Sequence, residues 1–169
     1  MSMRVRVGGI LFLALPAAAS AQAVAALNPL YENIKGNIIK SAELMPEADY
    51  GFKPTPAVRS FGQLVGHMAN ANYAMCATAK GEASPAKQDF EKTTEKAALI
   101  QAVKDAFAYC DPVYKMADAS FAPMAELFGM KMTRLGFLML DVAHDNEHYG
   151  NMVTYFRLKG MIPPSSQGN

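Results

Sequence analysis

The sequence predicts an all-α protein that folds as a four-helix bundle. Apolar residues recur three and four positions apart through most of the chain, and no segment shows a sustained alternation of apolar and polar residues. Prolines and glycines divide this pattern into four long segments, each of which has the length of an ordinary helix. The chain length suits one domain with one core.

The first 21 residues have the three parts of a secretory signal peptide. Arg4 and Arg6 give a basic start, residues 7–19 are apolar, and Ala19-Ser20-Ala21 is a small-residue cleavage sequence. The apolar run is shorter than the about 20 residues that a membrane-spanning helix needs. We therefore expect cleavage before Gln22, export to a periplasmic or extracellular compartment, and no stable membrane anchor in the mature protein.

The mature chain, residues 22–169, is expected to form a single helical domain. The whole sequence has 16 Lys and Arg against 15 Asp and Glu, and removal of Arg4 and Arg6 leaves 14 basic side chains. The basic residues are scattered, and there is no glycine-rich phosphate loop or internal repeat. This near-neutral balance argues against a nucleic-acid or anionic membrane partner.

The first helix is predicted from about Pro29 to Met45. Proline suits the first turn of a helix, and Asn28 can cap it. Three prolines in residues 46–56 then enforce an irregular connection, because proline lacks the amide hydrogen that a helix uses.

The second helix is predicted from Ser60 to Lys80. Ser60 and Gln63 have the spacing of a capping box, and Gly81 suits the residue that ends a helix. His67 lies at the edge of the apolar stripe of this helix.

The third helix is predicted from about Thr93 to Ala117, with a kink at Pro112. The residues that follow, 118–132, are too apolar for a solvated loop, so we expect them to pack over one end of the bundle and cover a ligand pocket.

The fourth helix is predicted from about Thr133 to Lys159, because Gly160 and two prolines prevent its continuation. Its inward face is predicted to carry Phe137, Leu140, His144, His148, Asn151, Tyr155 and Leu158.

Cys76 and Cys110 are the only cysteines. Export to an oxidising compartment permits a disulfide between them, whereas two buried thiols that pack as small apolar groups are the other interpretation. The sequence leaves both alternatives open.

The three histidines indicate a metal site. His144 and His148 lie one helical turn apart and project from one face, a spacing that one metal ion can bridge. His67 would supply a third imidazole and leave a coordination position for water or substrate. Hydrogen bonds from each imidazole to tyrosine, asparagine or backbone groups are the alternative interpretation.

Residues 144–148 also match the His-x-x-Glu-His pattern of a class of zinc proteases. That class needs a downstream carboxylate ligand, and the chain has no Asp or Glu after His148. Glu147 points to one side of the two histidines, so it is a candidate for proton transfer at the rim of the site, or a surface carboxylate.

Other polar residues of the fourth helix are candidates for the same site. Asp141 and Asp145 neighbour the histidines, although Asp145 is expected to be an ordinary surface carboxylate. Asn151 and Tyr155 follow on the predicted ligand face, where they would contact a substrate or be satisfied polar groups of the core.

The order and placement of these histidines resemble the DinB-like superfamily. The resemblance rests on residues 61–67, the His144–His148 pair and the tail from Tyr155 to Pro164, and residues 50–56 fit as well. It implies a bundle with up-down-down-up topology and a divalent metal held by three histidines, which correspond to His67, His144 and His148. It also implies that the second and third helices run parallel, which would bring the two cysteines to similar height.

The resemblance implies either a metal-dependent hydrolase or a thiol-dependent transferase. Low-molecular-weight thiols are chiefly cytosolic, so an exported member is expected to be a hydrolase that acts on a small molecule. A bundle that binds a metal or ligand without turnover is the competing hypothesis. Imidazole ligands suit zinc or nickel, with iron or manganese as further alternatives. A homodimer through exposed helix faces stays open.

Overall fold

The computed structural model describes residues 22–168, and the predicted signal peptide lies outside these residues. Within them, four α-helices and one short β-hairpin occur in the order α1 (Ala23–Leu44), α2 (Phe61–Lys80), α3 (Lys96–Cys110), β1 (Met124–Leu127), β2 (Met130–Thr133) and α4 (Arg134–Leu158). This arrangement confirms the predicted all-α bundle. In the part of the chain described, none of the helices combines the length and hydropathy that crossing a bilayer requires.

Contacts between the helices define an up-down-down-up bundle. The Phe61 ring, at the start of α2, lies 6.0 Å from the Phe156 ring near the end of α4, so these two helices are antiparallel. The Lys96 ammonium, at the start of α3, donates to the Met45 carbonyl just after α1 at 2.8 Å, so α1 and α3 are also antiparallel.

A disulfide joins Cys76 to Cys110 near the last turns of α2 and α3. The two Cα atoms are 5.5 Å apart, so α2 and α3 run in the same direction. The bridge decides between the two interpretations of the cysteines and agrees with the topology that the resemblance implies. Closing a loop of 34 residues is expected to stabilise the fold by about 2–4 kcal/mol.

The ends of α2 follow the prediction. The Ser60 amide donates to the Gln63 side chain at 2.9 Å, and the Gln63 amide donates to the Ser60 hydroxyl at 3.2 Å, which completes the capping box. Gly81 ends the helix in the left-handed region, at φ 84°.

The predicted start of α1 was wrong, because the helix begins at Ala23 and contains Pro29 within it. The amides of Ala23 and Val24 donate to the Asp118 carboxylate at 2.9 and 3.3 Å. Asp118, 95 positions from Ala23, thus accepts the first amide hydrogens of α1. Asn28 was expected to accept them in a helix that began at Pro29.

The predicted extent of α3 was also wrong. The helix ends at Cys110, and a separate 3-10 turn, Val113–Lys115, follows Pro112. Proline removes the amide that would continue the helical hydrogen bonding, so the chain ends the helix here and does not kink.

The buried face of α4 differs from the predicted face. Leu140 and His144 are half-buried, and Asn151 and Leu158 are exposed. Because α4 packs against both α1 and α2, a wide sector of its surface is buried. The centre of this sector is not the predicted row but another row of residues. That row contains Leu138, Asp141, Asp145, Met152 and Phe156.

Residues 118–132 contain secondary structure that the sequence did not predict. A short 3-10 turn precedes an antiparallel hairpin, in which Met124 pairs with Thr133 and Leu127 with Met130. Each strand has four residues, so its alternation of exposed and half-buried positions is too brief to register as a strand pattern.

Asp141 and Asp145 are fully buried, which corrects the expectation that Asp145 lies on the surface. The Tyr114 hydroxyl donates to Asp141 at 2.8 Å, and the Asn72 amide donates to Asp145 at 2.9 Å. Burial raises the pKa of Asp141 to about 7, and burial together with the charge of Asp141 raises the pKa of Asp145 well above its usual value.

The connector between α2 and α3 returns along α2 and packs closely against it. A Cβ atom at Gly66 would lie 2.3 Å from the Phe90 carbonyl oxygen. The Phe90 amide donates to the Asn70 side chain at 3.0 Å, and Asn70 donates to Asp89 at 2.7 Å. The absence of a side chain at Gly66 therefore allows the Phe90 carbonyl group and the Glu91 amide nitrogen to touch the helix.

We expect Gly66→Ala to lower the free energy of unfolding by at least about 1–3 kcal/mol, because the new methyl group would overlap connector backbone. Urea denaturation measures the change. Gly36→Ala is the control, since that glycine lies within α1 with no atom in reach of an added methyl, and alanine there should stabilise by about 0.5–1 kcal/mol. Equal stability of the Gly66→Ala variant and the wild type would contradict the close packing.

The raised pKa of Asp141 predicts a pH dependence of stability. The folded carboxyl keeps its proton to a higher pH than the unfolded one, so its contribution is complete below about pH 4 and is lost as the pH rises toward 7. In Asp141→Asn this loss disappears, and the slope of unfolding free energy against pH differs from the wild type by at most about 1.4 kcal/mol per pH unit. Urea denaturation from pH 4 to 8 measures the slopes.

The control for this prediction is Asp105→Asn, which makes the same substitution at an exposed carboxylate of α3. It should leave the wild-type slope in place. Parallel pH profiles for Asp141→Asn and the wild type would refute the raised pKa.

Candidate metal centre

The three histidines of the chain converge at one point between α2 and α4. The Nε2 atom of His144 lies 3.1 Å from Nε2 of His67 and 3.0 Å from Nε2 of His148. One ligand atom from each ring falls within 4.8 Å of the other two. The rings predicted to share a site are thus in mutual contact.

The helical framework explains this convergence. His144 and His148 lie one turn apart on α4, and the antiparallel α2 places His67 opposite them. His67 and His144 are half-buried, and His148 is buried. The rings therefore lie at the border of the core, as predicted for His67, whereas His144 and His148 were expected to lie on the inward face of α4 among its apolar residues. This border position leaves the cluster accessible from outside the core.

Glu91 on the connector holds His67 in place. Its Oε1 atom lies 2.6 Å from Nδ1 of His67, and its Oε2 atom accepts from the Arg59 side chain at 2.9 Å. Burial raises the pKa of Glu91, but the hydrogen bonds from Arg59 and His67 outweigh burial and hold it below its usual value. An ionised Glu91 accepts the His67 Nδ1 hydrogen, so the lone pair of His67 lies on Nε2 and faces the cluster.

Sequence reasoning missed Glu91, which lies 24 residues from His67 in a polar connector. The one feature that could have indicated Glu91 is the parallel course of α2 and α3 that the resemblance implies. A connector that crosses the bundle to reach the start of α3 passes the first half of α2, where His67 lies.

The electrostatic environment favours the neutral form of His144 and of His148. Burial and the neighbouring His148, His67 and Arg59 lower the pKa of His144 to about 3. Burial, followed by the influence of His67, lowers the pKa of His148 as well. Neutral imidazole is the form that coordinates metals, so protons compete little for these two rings near neutral pH.

The donor set fits a divalent metal ion. The Nε2 atom of His144 lies 3.0–3.1 Å from the Nε2 atoms of the other two rings, and a cation between them would accept a lone pair from each. The Nδ1 atom of His144 is buried and has no hydrogen-bond partner among residues 22–168, and its Nε2 atom faces the Nε2 atoms of the other two imidazoles. Three imidazole nitrogens suit zinc, nickel, copper or iron.

A cavity of about 710 Å³ opens beside His148, and both polar and apolar side chains line it. We call it the polar cavity because its wall includes Lys53, Arg59 and Glu147. Glu147, Asn151 and Tyr155, the other predicted site residues, all line it. The Asn151 side chain lies 3.3 Å from Nδ1 of His148, so it contacts a candidate ligand directly. The Tyr155 hydroxyl donates to the Arg59 carbonyl, which makes Tyr155 a satisfied polar group at the cavity wall.

A second cavity of about 440 Å³ lies on the other side of the cluster. His67 and His144 contribute to its wall, and the β-hairpin supplies Phe128 and Met130. Residues 118–132 were predicted to cover a ligand pocket, and the hairpin tip does line this cavity. The histidine cluster is thus flanked by a polar cavity and an apolar one.

Comparison with known proteins identifies the family. A family model described as the DinB superfamily matches residues 31–152, a range that includes all three histidines. No curated protein has a significant sequence match to the chain.

Two solved structures have similar folds. A DinB-like protein from Bacillus cereus ATCC 10987 superposes with a TM-score of 0.70 at 15% identity, covering 83% of this chain and 95% of its own. A DinB-like protein from Bacillus subtilis superposes with a TM-score of 0.63 at 22% identity, covering 88% of this chain and 99% of its own. With the family match over most of the described residues, the chain belongs to the DinB superfamily.

Proposed function

We propose that His67, His144 and His148 bind one divalent metal ion and that this centre hydrolyses a small molecule. The observation that carries the proposal is the convergence of three Nε2 atoms, 3.0–3.1 Å from one another along two edges, beside two cavities. Zinc or nickel is the expected ion, with iron or manganese as alternatives. When bound, such an ion supplies a Lewis acid that polarises a substrate oxygen and acidifies water.

Each residue near the cluster has a role in this proposal. Glu91 fixes the tautomer of His67, and Arg59 holds Glu91 in its orientation. Glu147 is exposed at the rim of the polar cavity, where it transfers a proton to or from the reacting group. Asn151 and Tyr155 line the same cavity and contact the substrate.

Export, if the signal peptide functions as predicted, favours hydrolysis over thiol transfer, because low-molecular-weight thiols are chiefly cytosolic. Two accessible cavities favour an open site over a closed structural one. A bundle that binds a metal and a ligand without turnover shares these features, so turnover itself must be measured.

The wild-type protein, purified without added metal, should contain about one equivalent of a divalent metal ion by elemental analysis. His144→Ala should lose it, because the central ring of the three is removed. Only the metal-loaded protein should hydrolyse members of a panel of chromogenic esters, amides and phosphoesters.

Asn146→Ala is the control for this experiment, since it changes an exposed residue of the same helix and should keep the metal. Circular dichroism establishes that each variant is folded. A folded wild type that takes up no ion, even when supplied with zinc or nickel, would contradict the metal centre. A metal-loaded protein that hydrolyses no member of the panel would support the alternative function, metal and ligand binding without turnover. In that case Glu147→Gln should leave metal binding unchanged.

Glu91→Gln should weaken metal binding by about 10- to 100-fold, because a neutral amide orients His67 less strongly than a carboxylate. Competition with a chromogenic chelator measures the affinity. Glu82→Gln is the matched control, since Glu82 lies in the same connector and pairs with Lys80 at 2.9 Å. If both variants bind metal with wild-type affinity, Glu91 has no part in the site.

A further inference from the structure

We propose that the cavity beneath the β-hairpin binds the apolar part of an amphiphilic substrate, and that Phe128 is the residue that selects it. This inference rests on the proposed metal centre, because the cavity leads to two of its ligands. The substrate class is a small molecule with an alkyl or aryl group at one end and a polar, metal-coordinating and hydrolysable group at the other.

The cavity is mainly apolar, and its polar lining consists of His67, His144, Asn70 and Glu91. Its volume of about 440 Å³ lies within the range of about 300–1,000 Å³ that is usual for small-molecule sites. The apolar side chains that line it come from α2, α4 and the hairpin: Ala71, Ala74, Met75, Leu140, Phe128 and Met130.

The polar residues on this wall are already engaged. Asn70 bonds to Asp89 and to the Phe90 amide, and Glu91 bonds to Arg59 and His67. A ligand inside the cavity therefore meets few free polar groups apart from the edges of His67 and His144. Binding an alkyl chain or aromatic ring here is favourable, because apolar surface is removed from water. Binding a sugar or a charged group is unfavourable, because its polar atoms would lose hydrogen bonds to water without replacement.

Phe128 has two properties that the packing of the bundle does not explain. It is 66% exposed, the most exposed of the large apolar side chains described. Its backbone lies in the left-handed region at φ 54°, next to Gly129 at φ 74°. Two-residue hairpin turns with both φ values positive favour asparagine and glycine, and a bulky side chain there is strained.

Burial of the ring does not offset the strain, because most of the Phe128 side chain is exposed among the described residues. A strained, exposed aromatic residue at the mouth of a cavity is explained by contact with a bound molecule. The ring would cover the apolar end of the ligand while its polar end reaches the histidine cluster.

The polar cavity on the other side of the histidine cluster can hold the polar end of the substrate. The polar side chains of this cavity include Lys53, Arg59, Gln63 and Glu147, and apolar side chains such as Pro54, Val58 and Leu64 complete the wall. A polar leaving group or water can occupy this side while the apolar group remains under the hairpin. The two cavities thus match the two ends of an amphiphile.

Hydroxamates with different tails test the inference, because the hydroxamate group coordinates the metal and the tail probes the cavity. Acetohydroxamate, hexanohydroxamate and octanohydroxamate are titrated into zinc-loaded full-length mature protein by calorimetry. Affinity should rise by about fourfold for each methylene that becomes buried. Phe128→Asn should weaken octanohydroxamate binding by about tenfold and leave acetohydroxamate binding within twofold of wild type.

Phe128→Asn should also raise the thermal midpoint, because asparagine tolerates the left-handed conformation better than phenylalanine. Met139→Gln is the control, since Met139 is 55% exposed on α4 and does not line the cavity. It should change neither affinity. Ala74→Leu, which narrows the cavity from α2, should weaken octanohydroxamate binding with Phe128 intact.

The outcomes separate this inference from the proposed function. A protein that binds acetohydroxamate, but gains no affinity with tail length, keeps its metal centre and overturns the apolar subsite. Equal weakening of all three hydroxamates by Phe128→Asn also overturns the role of Phe128. A protein that takes up no zinc overturns the metal centre and this inference with it.

Discussion

The antiparallel packing of α2 against α4 is the constraint on which the site depends. A buried hydrogen bond from Asn72 to Asp145, 2.9 Å long, joins the two helices inside the core. Asp145 directly follows His144, and Asn72 lies little more than one turn after His67. Because an unpaired buried amide or carboxyl is unfavourable, this bond disfavours sliding of one helix along the other. The register that satisfies it is the register that brings the three imidazoles together.

The parallel course of α2 and α3 makes the connector part of the site. A chain that leaves the end of α2 must travel back along the bundle before α3 can begin, and it passes His67 on the way. Gly66 lets connector backbone approach the helix, and Asn70 holds it there. Glu91 consequently reaches His67 from an element that has no regular structure apart from a short 3-10 turn. The disulfide at the other end of the same helix pair supports this topology.

The position of the histidines at the border of the core explains how a buried cluster can meet a ligand. Rings in the middle of the buried face would be closed in by apolar side chains, whereas these rings divide a polar cavity from an apolar one. The centre of the buried face holds Asp141 and Asp145, and the Tyr114 hydroxyl and the Asn72 side-chain amide each donate to one oxygen of these carboxyls. On α4, the row of residues that packs in the core is thus different from the row that faces the cavities.

Much of the bundle was predictable from the residues themselves. The periodicity, the Ser60–Gln63 capping box and Gly81 act within a few positions, so they placed four helices and the limits of α2. His144 and His148 were predictable as a pair because four residues make one turn. Glu91, the Asp118 cap of α1, the burial of Asp145 and the strained turn at Phe128 were not, because each depends on groups distant in sequence or on strands of four residues. Local spacing determines which faces a helix has, but packing against the other helices determines which face is buried and which residues meet.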